Sequence, residues 1–248
     1  MKINIIKFLI YNAIVICFFS CNEKYTDGYY SNGKLKIRTY YNDKEEDSVI
    51  SFDVNEKVKW IKKIYNKDSL YLWDYTNGSK DKEGIMYKNS AYGKWKFYKD
   101  DVLSVVREYF WIDGQSYFNQ EWHFDKAGDT VKDKGNYFKL ISNNPLKTNT
   151  NEEIRFFFER PTSKYYENEM IVFYDIEFLN KSGEVQTDSG EILGVNNEVI
   201  YEVSFEDEGI FKMKGYVLEK YRFINDSTSE KISRTRKLYF DELIHVLN

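Results

Sequence analysis

Cysteine, histidine and alanine are all scarce in this chain of 248 residues, and each scarcity removes a class of explanation. The two cysteines, Cys17 and Cys21, both lie near the amino terminus, so no disulfide framework and no thiolate metal site is expected in the body of the chain. The two histidines, His123 and His245, are too few for a zinc site made of several imidazoles. Only three alanines are present, so the best helix former is nearly missing, while the rings that suit a pleated surface number 22 Tyr, 18 Phe and 5 Trp. That imbalance predicts an almost wholly β protein. There is no nucleotide-binding glycine loop, and no cofactor is expected.

The one long apolar run, Phe8 to Phe19, follows Lys2 and Lys7 and is too short to span a bilayer comfortably. Residues 1–20 therefore read as a removable signal. Small Ser20 precedes Cys21, whereas bulky Ile16 precedes Cys17. The box Phe18-Phe19-Ser20-Cys21 resembles the cleavage site of a bacterial lipoprotein precursor, with Phe18 standing where leucine is usual. The resemblance implies an acylated Cys21, a short tether over 21–24 and a lipid-anchored place in the cell envelope, at the outer membrane. An ordinary signal peptide and an uncleaved signal anchor are the alternatives. Without residues 1–20, 34 basic residues face 40 acidic ones, a formal charge of −6 rather than −4. Such a chain is a poor general binder of nucleic acid or anionic lipid.

Turn-bearing segments recur in the first half. Led by an aromatic residue, they are YSNGKL from Tyr30, FDVNEKV from Phe52, YTNGSK from Tyr75, YKDDVL from Tyr98 and FDKAGDTV from Phe124, at spacings of 22, 23, 23 and 26 residues. A period of that size means stacked supersecondary units, each with length for two short strands and two turns. Asn32-Gly33, Asn77-Gly78 and Asp113-Gly114 can take the positive φ values that tight two-residue hairpins need. Between turns the alternation is that of a strand: Leu35, Ile37, Thr39 and Tyr41 share one face, Lys34, Lys36, Arg38 and Tyr40 the other.

Tyr29-Tyr30-Ser31-Asn32-Gly33-Lys34-Leu35 and Tyr92-Gly93-Lys94-Trp95-Lys96-Phe97-Tyr98 carry a resemblance to the bacterial MORN-repeat variant. It implies β-hairpin repeats running on into an antiparallel meander, assigned here to a domain at 25–141. Family likeness of this kind implies a shape rather than a reaction.

Composition changes after residue 141. The polar stretch 142–151, with Pro145, reads as a linker, and no tryptophan lies beyond it. Six longer strands are expected at 153–160, 169–180, 184–193, 198–205, 209–224 and 231–245. In the fifth, Phe211, Met213, Val217, Tyr221 and Phe223 fall on one side and Lys212, Lys214, Lys220 and Arg222 on the other, while Tyr216 and Leu218 interrupt the polar side and imply partial cover there too. Strands of this length without the repeat period predict a small β-sandwich of immunoglobulin-like form at 152–246. An extension of the first sheet is the competing reading.

No catalytic constellation stands out. His123, in Glu121-Trp122-His123-Phe124, has an ordinary strand position, and His245 lies near a chain end that such positions usually leave poorly ordered. Asp74, Asp113, Glu121 and Asp125 lie among tryptophans, where a carboxylate pair for glycoside hydrolysis is least implausible. Asp125, Asp129 and Asp133 lack the alternate-position ligands of a calcium loop and read as a solvated turn. Lys57, Lys59, Lys62 and Lys63 around Trp60 read as a water-facing strand edge. The tryptophans Trp60, Trp73, Trp95, Trp111 and Trp122 are the candidate ligand-binding residues, because exposed rings on a flat sheet can stack on sugars or anchor a protein. The expected function is a non-catalytic binding or scaffolding module for a protein or glycan. A glycan hydrolase and a purely structural envelope component are the alternatives.

Overall fold

The computed structural model describes residues 24–248 apart from 144, 160–164, 180–184, 195–197, 225–227 and 229, so the expected signal and Cys21 lie outside the described residues. Among the described residues every regular element is a strand. The chain forms two compact units, residues 1–89 and 90–248.

The first unit is a meander of β1 (Tyr25–Tyr29), β2 (Leu35–Asn42), β3 (Glu45–Phe52), β4 (Val58–Ile64), β5 (Ser69–Thr76) and β6 (Ser79–Tyr87). Each strand pairs antiparallel with the next. Among the described residues of this unit Val49 is the one buried apolar side chain; the other apolar side chains described, on both faces, are half-buried or exposed.

The second unit begins with the same kind of hairpin. Strands β7 (Ser90–Lys99), β8 (Val102–Ile112), β9 (Gln115–Phe124) and β10 (Thr130–Ser142) pair in order, and the sheet continues through β12 (Glu152–Glu159) to β15 (Glu198–Val203). The remaining strands make a second sheet in the order β11 (Leu146–Lys147), β17 (Lys231–Leu247), β16 (Gly209–Ile224), β13 (Tyr165–Leu179), β14 (Val185–Gly194). One core joins the two sheets: Phe138, Ile154, Phe156, Phe158 and Val199 from the first meet Val172, Met213, Val217, Leu238 and Phe240 from the second. Both sequence readings of this region are thus partly realised. β12 and β15 extend the meander's sheet, and the other strands cover it as a second layer.

All five repeat-leading aromatics stand where an odd-numbered strand runs into its hairpin turn: Tyr30 after β1, Phe52 ending β3, Tyr75 in β5, Tyr98 in β7 and Phe124 ending β9. The spacing of 22–26 residues is therefore two strands and two turns. Two turn designs serve it. At Asn77-Gly78, Asp100-Asp101 and Asp113-Gly114 both residues have positive φ, the form that matches strand twist. At Tyr30, Asp53 and Asp125 the turn is wider: Tyr30 N donates to Lys34 O (2.9 Å), Asp53 N to Lys57 O (2.8 Å) and Asp125 N to Asp129 O (2.9 Å). Only the fourth residue, Gly33, Glu56 or Gly128, has positive φ there. Asn32-Gly33 is thus not a two-residue hairpin. Where Asn-Gly is missing, Asp53 accepts from the amides of Asn55 and Lys57 and Asp125 from those of Ala127 and Asp129, which closes the turn by side chain instead.

Neighbouring repeats are tied by equivalent contacts. Lys34 Nζ donates to Val54 O (3.0 Å), and Lys57 Nζ donates to Asn77 O (3.2 Å). The donors are 23 residues apart and so are the acceptors.

In the second sheet the row Gly190, Tyr174, Gly215, Phe240 alternates glycine and ring across four strands. A Cβ on Gly190 would lie 2.9 Å from the Tyr174 hydroxyl, and one on Gly215 would lie 2.0 Å from Phe173 O and 2.8 Å from Phe240 Cζ. Each ring leans over a glycine, where any larger side chain would collide with it.

Candidate functional site

Strand register decides which of the tryptophans meet. Ser51, Trp60 and Asp74 form one cross-strand row, and Ile61, Trp73 and Glu83 form the next. Successive rows face opposite ways, so Trp60 and Trp73 stand on opposite faces of the first unit. In the second unit the row Trp95, Arg107, Glu121 lies on one face of β7–β9, and the row Val106, Trp122, Gly135 on the other. The five rings therefore make no single platform. Trp95 is 5% exposed, whereas Trp60, Trp73, Trp111 and Trp122 are half-buried.

The half-buried rings have partners against them. Lys62 Nζ lies 4.5 Å from the Trp60 ring centre, Lys94 Nζ lies 5.4 Å from that of Trp122, Tyr71 packs 4.4 Å from Trp73, and Tyr137 packs 5.5 Å from Trp122. The lysines around Trp60 guard no edge, which corrects the sequence reading, because β4 is paired on both sides. Their roles differ: Lys57 caps a turn, Lys62 covers Trp60 and Lys63 bonds Asp47.

The carboxylates near the tryptophans are engaged in structure. Asp74 pairs with Lys82 at 3.4 Å, Asp125 holds its turn, and Asp113 supplies a positive φ. Glu121 is the centre of a polar cluster: Arg107 Nε donates to its Oε2 at 2.6 Å, and His123 Nε2 lies 2.7 Å from its Oε1. Burial pushes the Glu121 carboxyl up, but hydrogen bonds from Arg107 and His123, with the Arg107 charge, outweigh it and hold the group below the usual carboxylate range. A carboxyl so held stays ionised near neutral pH and is a poor proton donor. Sequence reasoning singled out Glu121 but missed Arg107, which lies 14 residues away and reaches Glu121 only through the β8–β9 register.

A second polar cluster on the opposite face of β9 was not foreseen at all. A β-bulge sets Asn119 and Gln120 against Glu108, and both amides donate to Glu108 Oε2 at 2.8 Å. Asn119 also reaches β17: Tyr239 N donates to its Oδ1 (2.7 Å) and its Nδ2 donates to Tyr239 O (2.9 Å). Tyr117 adds a bond to Lys237 O at 2.8 Å. These side chains satisfy backbone groups on the side of β17 that faces away from β16, work that another strand would otherwise do.

The first unit also carries a trough of about 840 Å³ at one end of its strands, with Ile64, Leu70 and Met86 between Glu45, Glu46 and Asp68. None of the five tryptophans lines it. Among the described residues no cluster of His, Cys, Asp and Glu is arranged to hold a metal ion.

Neither a family model nor a curated protein nor a solved structure matches the chain.

Proposed function

We propose that this chain is a bacterial envelope lipoprotein, anchored at the outer membrane through an acylated Cys21, whose hairpin repeats of the MORN-variant kind act as a non-catalytic binding or scaffolding module for a protein partner. In this reading the second unit is immunoglobulin-like only in the broad sense of two sheets across one core.

The observation that carries the proposal is the commitment of the polar groups around the rings. Asp74, Glu121 and Asp125 are engaged in ion pairs or turns, while Trp60, Trp73, Trp111 and Trp122 remain partly open to solvent. Two features favour a protein over a glycan. The rings are spread over opposite faces instead of forming a line on which successive sugars could stack, and lysines lie against the rings of Trp60 and Trp122. Half-open aromatics with cations beside them suit the mixed apolar and polar contacts of a protein interface. An acyl anchor at Cys21, only a few residues before Tyr25, would hold β1 within about 14 Å of the leaflet.

In-cell cross-linking followed by mass spectrometry tests the reading. The expected result is a specific partner whose yield falls at least fivefold in Trp60→Ala or Trp73→Ala chains that accumulate normally. Binding of an envelope polysaccharide that either substitution abolishes, or cleavage of one, would overturn it. The anchor has a separate check. Cys21→Ala should move the protein out of the detergent phase, and a variant that stayed there would refute acylation.

A further inference from the structure

The solvent side of the second sheet is unusually apolar. Val172, Val217 and Leu238 point into the core and are fully buried, so their neighbours Ile171, Phe173, Tyr216, Leu218 and Tyr239 point the other way. Those five remain half-buried, and Leu193, Leu243, Ile210 and Ile224 on the same face are 72%, 61%, 56% and 42% exposed. The rings form a continuous row: Phe173 stacks on Tyr216 at 4.8 Å, Tyr216 meets Tyr239 at 5.7 Å with Lys237 Nζ 4.5 Å from its ring, and at the β17 margin Tyr239 packs on Tyr117 and Phe110 of the same chain, at 5.3 and 6.3 Å. Apolar patches of this breadth on a solvent-facing sheet mark a surface that something covers.

We infer that a second copy of this chain covers it. The charges on the face form columns. On β16, Lys212 and Lys214 precede Tyr216 and Leu218, and Lys220 and Arg222 follow them. Beside them on β13, in register, lie Glu177, Asp175, Phe173 and Ile171. Lys212 and Lys214 thus run next to Glu177 and Asp175, and both strands continue into an apolar stretch. A two-fold axis between two such faces, parallel to the strands and midway between β13 and β16, sets each β16 over the other copy's β13. Lys212 then meets Glu177, Lys214 meets Asp175, Tyr216 meets Phe173 and Leu218 meets Ile171. The apolar rows come together and the ion pairs flank them on one side, a core-and-rim arrangement of the kind interfaces use. Within one copy Lys214 already pairs with Asp175 at 3.4 Å and bonds Glu177, so the columns are ordered before the copies meet.

The available area suffices. Four strands about 4.8 Å apart and about 33 Å long offer roughly 600 Å² per copy, or about 1,200 Å² in all, the lower end of specific interfaces. The inference is independent of the lipid anchor and of the protein partner proposed above.

Sedimentation of the full chain in density-matched detergent tests it. The expected result is a reversible dimer that Leu193→Glu weakens at least tenfold without moving the thermal midpoint, because Leu193 is mostly exposed. Lys214→Glu and Asp175→Lys should each weaken the dimer, and the two together should restore it, since exchanging the columns preserves their match. In a mixture of isotopically light and heavy chains, carbodiimide should link Lys214 of one copy to Asp175 of the other. A monomer at about 100 μM would overturn the inference. So would a dimer that Leu193→Glu leaves intact, as association through the acylated end or another face would do.

Discussion

Glu121 gives up its proton more readily than a free glutamate, and that fact has a pH signature. Its carboxyl lies below the usual range in the folded state, so the stability it contributes is fully present above the unfolded value of about 4.5 and is lost as pH falls below it. Glu121→Gln should therefore lower stability at pH 7 by roughly 1–3 kcal/mol, with the difference shrinking as the medium is made more acid than the unfolded value; thermal unfolding followed from neutral into acid pH checks it. Two glycines make opposite demands. Gly33 has φ +81° with open space around it, so Gly33→Ala should cost only about 1–2 kcal/mol of backbone strain. Gly215 is closed in by Phe173 O and the Phe240 ring, and Gly215→Ala should cost about 3 kcal/mol or more in urea unfolding. Nothing around Gly215 in the sequence separates it from a tolerant strand glycine. The difference comes from strands 42 and 25 residues away.

The hairpin is the element that the sequence describes best. Aromatic residue, turn and alternating strand recur with one period, and each needs only its neighbours to form. The turn at Asp53 was legible in kind but not in mechanism, because an aspartate side chain closes it without Asn-Gly. Strand contacts between sheets are another matter. Asn119 reads as an ordinary polar residue of β9, yet it bonds both backbone groups of Tyr239, 120 residues on. Asn119→Ala should leave the Tyr239 amide without its acceptor and cost about 2–4 kcal/mol, whereas Asn119→Ala in a chain already carrying Tyr117→Phe should cost somewhat less; a double-mutant cycle separates the two. The carboxyl end shows the same dependence. Thr148 N donates to Leu247 O at 2.9 Å and Val246 is fully buried, so β17 is held to its last residues, contrary to the expectation of a loose end around His245.

At the scale of the whole molecule, stability is unevenly distributed. Among the described residues the first unit buries one apolar side chain, Val49, while the core shared by the two sheets of the second contains sixteen buried residues. Local opening is governed by such burial, so amides of β1–β3 should exchange with solvent at lower free energy than those of β12, β13 and β16. Hydrogen exchange read by mass spectrometry under native conditions checks this, and equal protection throughout would contradict it. The sequence alone determined that the chain is all β, that its first half is built of hairpins on a 22–26-residue beat and where six later strands run, because turn chemistry and alternation act between near neighbours. It also marked Tyr216 and Leu218, both half-buried, as interrupting a polar side. Only the tertiary structure decided that β12 and β15 extend one sheet while β13, β14, β16 and β17 make another, that Arg107 and His123 meet on Glu121, and that the tryptophans are scattered over several faces. Those outcomes depend on register and on contacts between distant strands, and a period of two says which side a residue takes without saying what it will find there.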